Sequence, residues 1–151
     1  MNMFAKLIET KRDWIAPLLR WTLALVILPH GLQKAFGWFG GHGFEGTMGF
    51  LTGSVGLPAA IAFLVIAAEL LGPIGLAAGL LSRVAAFGIG AVMIGAVVTT
   101  HLQNGFFMDW SGSGSGQGFE YHLLALGLVI AILIRGGGTF SVDRALQKRL
   151  A

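Results

Sequence analysis

The run Ala59-Ala-Ile-Ala-Phe-Leu-Val-Ile-Ala-Ala-Glu69-Leu-Leu-Gly-Pro73-Ile-Gly-Leu-Ala-Ala-Gly79 decides the fold. It holds one ionisable side chain, Glu69, among apolar and small residues. A helix rises about 1.5 Å per residue, so about 20 such residues cross the hydrocarbon core of a bilayer. Leu57-Pro58 and Leu80-Leu81 extend the run, and proline suits the first turn of a helix. Residues 57–81 are therefore predicted to form a transmembrane helix.

Three further segments share the pattern. The first spans about 14–34, around Trp21-Thr-Leu-Ala-Leu-Val-Ile-Leu-Pro29. The third spans 84–101, and the fourth, short for a membrane crossing, spans 119–134. Only Ser82-Arg83 separates the second from the third, which makes those two an antiparallel hairpin. Met1 to Asp13 reads as a short amphipathic surface segment. No small-x-small cleavage site follows the first apolar run, so that run is expected to stay as a helix. The expectation is an all-α bundle of four transmembrane helices forming one integral membrane domain over 1–151.

Composition agrees. The chain is 55% hydrophobic and 11% charged, where a soluble domain carries roughly 25% charge. The net charge of +3 would fit a nucleic-acid binder, but the basic residues sit at the ends of apolar segments, and membrane topology explains them better. The sequence has no cysteine, which excludes disulfide, iron–sulfur and thiolate chemistry on this chain.

The charges also orient the bundle. Lys6, Lys11, Arg12 and Arg20 precede the first helix, Arg83 lies in the hairpin, and Arg135, Arg144, Lys148 and Arg149 follow the fourth. With N and C termini both cytoplasmic, all of these fall on the inner side and Lys34 alone falls outside. The long loops 35–56 and 102–118 then face outward. The first is rich in aromatics (Phe36, Trp38, Phe39, Phe44, Phe50) and is expected to lie in the interface or fold over the bundle as a lid. The second ends in Ser111-Gly-Ser-Gly-Ser-Gly116, a flexible composition. Small residues recur four apart at Gly75/Gly79, Ala91/Gly95/Thr99 and Gly127/Ala131, and such stripes let helices approach closely.

This topology gathers His30, His42, His101 and His122 at the outer end, with Glu69 facing them from within the membrane. A charged carboxylate at that depth costs several kcal/mol unless it is paired. Pro73 removes the amide that would bond the Glu69 carbonyl, and Pro29 does the same one turn before His30 reaches the helix end. His30, Gln33 and Lys34 share one helix face. Lys34 is expected either to reach the headgroups or to pair with Glu69 or an anion. His101 closes the third helix, while Glu120, Tyr121 and His122 open the fourth. Imidazole and carboxylate together can relay protons, bind metal or hydrogen-bond the carbonyls of a quinone. No spacing here is diagnostic of a metal, and none is assigned. Glu69, His30 and Lys34 are the candidate catalytic residues; His101, Glu120, Tyr121, His122 and Gln33 are the candidate cofactor-binding residues.

These residues resemble a known pattern. His30-Gly-Leu-Gln-Lys34, Phe36-Gly-Trp-Phe-Gly-Gly41, Phe44-Glu-Gly46, Gly56-Leu-Pro58, Ala68-Glu-Leu-Leu-Gly72, His101 with Asn104-Gly-Phe-Phe107, Glu120-Tyr121 and Phe140-Ser-Val-Asp143 follow one another as in the DoxX family of small bacterial inner-membrane proteins. The resemblance covers about residues 14–145. It implies a plasma-membrane location and a link to redox chemistry. Relatives include the small subunit of an archaeal thiosulfate:quinone oxidoreductase and proteins associated with quinone or oxidative stress. The leading expectation is a redox-associated membrane protein that handles a quinone or quinol at the outer polar site. The alternatives are a non-catalytic scaffold for a soluble or membrane oxidoreductase, and a small transport or metal-handling protein acting as a homo-oligomer.

Overall fold

The computed structural model describes residues 3–112, 114 and 116–150. Its helices are α1 (Met3–Leu7), α2 (Ile15–Phe36), α3 (Gly43–Gly49), α4 (Ala59–Ala78), α5 (Ser82–Ala96), α6 (Glu120–Arg135) and α7 (Val142–Leu150), and no strand occurs among the described residues. α2, α4 and the continuous helical segment Ser82–Asn104 are each long and apolar enough to cross a membrane. α6 has 16 residues. The bundle is a closed ring in which α2 packs on α4, α4 on α5, α5 on α6, and α6 back on α2. Leu23 and Ile27 of α2, Leu76 of α4, Ile89 and Met93 of α5, and Val129 and Ile132 of α6 fill its centre. Large apolar side chains such as Leu25, Leu71, Phe87 and Leu124 project from the outside, as lipid-facing helices require.

Helix ends follow local chemistry. α2 stops at Gly37, whose φ of 73° returns its N–H to the Gln33 carbonyl at 3.1 Å. α4 stops at Gly79 (φ 67°), where a Cβ would come within 2.7 Å of the Ser141 Cα. Beyond Ala96 the helix widens into a π turn over Val97–His101. Thr99 Oγ1 donates to the Gly95 carbonyl at 2.8 Å there, a side-chain bond that competes with the regular ladder. The first loop, expected to lie in the interface or to fold over the bundle, is built of a turn at Trp38–Gly40, then α3, then a π turn at Phe50–Ser54. Its Leu51 packs against Ala62 and Ile66 of α4. In the second loop Gly114 N–H donates to Asp109 Oδ2 at 2.9 Å; Ser113 and Ser115 of the glycine-serine stretch lie outside the described residues.

The small-residue stripes divide. Gly75 and Gly79 sit against neighbouring segments, Gly75 beside Ala85 and Gly79 beside Ser141, whereas a Cβ on Gly95 or Gly127 would meet nothing within 4 Å. At Gly90, which no stripe included, a Cβ would come within 2.9 Å of the Val129 side chain, so its absence lets α5 and α6 meet.

The end of the bundle that carries the termini is a tight polar lock. Arg20, one of the cations assigned to the inner side, is fully buried. Its Nε donates to the Gly137 carbonyl at 2.8 Å, one Nη to the Leu76 carbonyl and the other to the Phe140 carbonyl at 3.1 Å. Asp143 is equally buried and accepts from the N–H groups of Leu81 (2.7 Å) and Ser82 (2.9 Å), capping α5. Arg83 donates from Nε to the Leu133 carbonyl at 2.8 Å and from Nη1 to that of Glu9. Asp13 caps α2 through Ile15 N–H at 2.8 Å and pairs with Arg135. α7 was not foreseen from the sequence: nine polar and apolar residues give no membrane signal, and its start rests on Ser141 Oγ accepting from Arg144 N–H at 3.2 Å.

Candidate functional site

The opposite end, where the two long loops sit, holds the candidate site. It begins with Gly31, the residue after His30. α2 lies so close to α4 here that a Cβ on Gly31 would overlap the Glu69 carbonyl and come within 2.8 Å of the Leu70 Cα. That carbonyl is the one Pro73 deprives of its amide partner. One turn further along α2, Lys34 forms an ion pair with the carboxylate of Glu69, which is buried while Lys34 is partly exposed. The pairing removes most of the objection to a carboxylate at this depth.

α6 brings in the next residues, and the second loop fixes where it starts. Gly118 N–H donates to the Phe107 carbonyl at 3.1 Å, and Glu120 N–H to that of Phe106 at 2.9 Å. Tyr121 then lies 6.2 Å from His30 between ring centroids, and His122 packs edge-on to Tyr121 at 5.3 Å. The π turn delivers His101, whose ring is 4.3 Å from that of His122. His101 Nδ1 is 2.8 Å from the Gln117 carbonyl, which can only accept, so Nδ1 carries the hydrogen and Nε2 is left as the acceptor. The result is a row of rings, His101–His122–Tyr121–His30, ending at the Lys34–Glu69 pair.

Two buried polar atoms in this row, Tyr121 Oη and His122 Nδ1, have no hydrogen-bond partner among the described residues. Buried groups left this way are uncommon and cost about 1–3 kcal/mol each. They are what a ligand with hydrogen-bonding oxygens would satisfy. Among the described residues no group of three or more His, Cys, Asp or Glu side chains is arranged to hold a metal ion.

Two sequence candidates are engaged elsewhere. Glu120 Oε1 accepts from Met108 N–H at 3.0 Å and from Trp110 Nε1 at 3.3 Å, tying down the second loop. Gln33 Nε2 donates to the Phe39 carbonyl at 3.3 Å, shaping the first loop, and Gly41 packs on the Gln33 backbone. His42 is exposed just before α3, away from the row. Gly31 is the residue that sequence reasoning missed. Its spacing of four from Ala35 was a usable signal, since such pairs mark close helix approach.

The family model for DoxX matches residues 15–102, which include His30, Lys34, Glu69 and His101. A protein of Bacillus subtilis (strain 168) named "Putative oxidoreductase CatD" is 32% identical over 115 residues, covering 76% of this chain and 75% of the relative. No solved structure matches the chain. On the family match and this relative, the chain is a multi-pass membrane protein and belongs to the DoxX family.

Proposed function

We propose that this chain crosses the bacterial plasma membrane four times, with both termini cytoplasmic, and holds the ring of a quinone or quinol at the outer end of the bundle. One observation carries the reading: the row of rings that leads to the Lys34–Glu69 pair contains two buried polar atoms, Tyr121 Oη and His122 Nδ1, with no protein partner among the described residues. Those atoms fit a ring bearing two carbonyl or hydroxyl oxygens, and the apolar surroundings fit a lipid-borne molecule. A bound quinone supplies an acceptor for two electrons and two protons. Tyr121 Oη donates to one ring oxygen, and the His122 imidazole offers Nδ1 to another. Glu69 takes or gives a proton at its carboxylate, with Lys34 compensating the charge in either state. His101, held at Nδ1 by Gln117, orients His122 from the far side. The electrons come from a partner oxidoreductase or a small exogenous reductant, in keeping with the name of the Bacillus relative.

The test is a titration with ubiquinone and menaquinone in lipid nanodiscs, comparing wild type with His30→Ala and Glu69→Gln. Saturable binding that either folded variant loses supports the site. Equal affinity and equal melting for wild type and Glu69→Gln would remove Glu69 from the mechanism.

A second reading has its own observation. Phe39, Phe107 and Trp110 are strongly exposed on the two loops over the site, and exposed aromatics are frequent anchors of partner surfaces. In that reading the chain is a scaffold for an oxidoreductase. Capture of that partner, lost on Trp110→Ala with no quinone bound by the wild type, would favour it.

A further inference from the structure

α5 and α6 meet at Gly90 and Val129, and a groove of about 800 Å³ lies open along this seam on the flank of the bundle. Phe87, Ala91, Gly95 and Val98 form its α5 wall. These positions recur at helical spacing up to the π turn, which then carries the chain to His101. Leu133, Val129 and Leu126 lie on its α6 side, and that face continues one turn further to His122. The α6 wall therefore leads toward His122, whose ring lies 4.3 Å from that of His101. None of the residues lining the groove is charged, and Thr99 is its one polar member. The cation nearest the polar end, Lys34, is already engaged by Glu69.

An apolar channel capped by two imidazoles has the shape of a single-tailed amphiphile with a neutral, hydrogen-bonding head. A phospholipid fits it less well, since its phosphate would meet no free cation among the lining residues and it brings two chains. We infer that the α5–α6 groove seats the isoprenoid tail of the quinone, with Gly95 setting the width of the tail's path. The inference rests on the quinone reading above. Gly95 is suited to the role because the space beside it is empty within 4 Å. The wall from Phe87 to Val98 runs roughly 16 Å, enough to grip several turns' length of a chain.

The experiment uses the full chain in nanodiscs and two probes, ubiquinone with its long tail and the same benzoquinone ring without a tail, each corrected for uptake by empty discs. Gly95→Leu fills the groove. Gly127→Leu makes the same change on α6 at a position that is equally open but outside the groove. Ala91→Leu serves as a second filling variant should Gly95→Leu melt early. Wild type is expected to bind the tailed probe more tightly, and Gly95→Leu to weaken that probe by about ten-fold or more, the loss of a few buried methylenes. The tailless ring should bind all variants alike, and Gly127→Leu should behave as wild type.

Unchanged affinity of Gly95→Leu for the tailed probe overturns the inference. A tailless ring that binds in a Glu69-dependent way, with no preference for the tail, overturns the groove alone and leaves the quinone reading standing. Binding of neither probe by wild type removes both. Conversion of a dimer to a monomer by Gly95→Leu, or loss of a co-purifying phospholipid, would assign the groove to a second copy or to bulk lipid and likewise overturn it.

Discussion

Lys34 meets Glu69 because Gly31, one turn earlier on the same helix, has no side chain. The ion pair and the close approach of α2 to α4 are one arrangement. Gly31→Ala should therefore separate the helices, with an overpacking cost of about 1–3 kcal/mol. It should also weaken quinone binding without touching any titratable group. Thermal unfolding in detergent and the nanodisc titration together check this; a variant with wild-type melting would show that the helices close over the methyl group at no cost.

Breaking the pair from one side should be worse than removing it. Lys34→Met leaves the Glu69 carboxylate buried without its cation, a loss of about 3–5 kcal/mol. The double variant Lys34→Met/Glu69→Gln should recover much of that stability while still failing to bind quinone. A double-mutant cycle on unfolding measures the coupling. Additive losses would mean that the two side chains do not act on each other.

The lock at the termini end should govern stability and leave the site alone. Arg20→Met strands carbonyl acceptors at Leu76, Gly137 and Phe140, and a loss of about 3 kcal/mol or more is expected. Asp143→Asn replaces one acceptor facing two N–H groups with a donor, at a cost of about 1–2 kcal/mol. Quinone affinity of the folded fraction should match wild type in both. A specific loss of binding by Asp143→Asn would show that this end communicates with the site.

Asp13 should give a pH signature. Burial raises its pKa, but hydrogen bonds from Arg135 and from the amides of Ile15 and Ala16 outweigh that and hold the carboxyl below its ordinary value. A lowered folded-state pKa means stability that is present above the ordinary carboxylate range and lost as pH falls through the lowered value. At neutral pH the wild type should exceed Asp13→Asn by up to about 1 kcal/mol, the worth of the ion pair with Arg135, since asparagine keeps the capping bonds. The two melting curves should converge as pH falls through that lowered value. A gap that persists under acid would assign the effect to shape and not to charge.

The orientation can be read directly, because a chain without cysteine accepts single probes cleanly. Glu45→Cys and Ser111→Cys, both exposed on the loops, should react with an impermeant maleimide added outside intact cells, and Lys148→Cys should react only after lysis. The reverse pattern would invert the topology and place the site on the cytoplasmic face.

Much of this architecture is legible in the sequence because lipid imposes length and apolarity. The segments 14–34 and 57–81 lie within three residues of α2 and α4 at either end. Glu69, His30 and Lys34 stood out for the same reason: polar groups in apolar helices are costly, so each marks a partner. Depth alone did not reveal direction. Glu120 and Gln33 sit at the expected level, yet their side chains serve the loops, because loop carbonyls and amides have no periodicity to read. Arg20 misled for a related cause. A helix-end arginine looks the same in sequence whether it faces headgroups or a cage of carbonyls, and part of that cage, the carbonyls of Gly137 and Phe140, lies more than a hundred residues away.

That distance matters for how the protein is made. Synthesis runs from the N-terminus, so α2 enters the bilayer with Arg20 long before residues 137–140 leave the ribosome. Until then the guanidinium has only the α4 carbonyls of Leu76 and Ala77 to bind. A segment made only after α6 is thus the part that completes its solvation. Nascent chains halted before Gly137 should be favoured targets for membrane proteases, and release of the finished C-terminal segment should mark the moment at which the bundle becomes resistant.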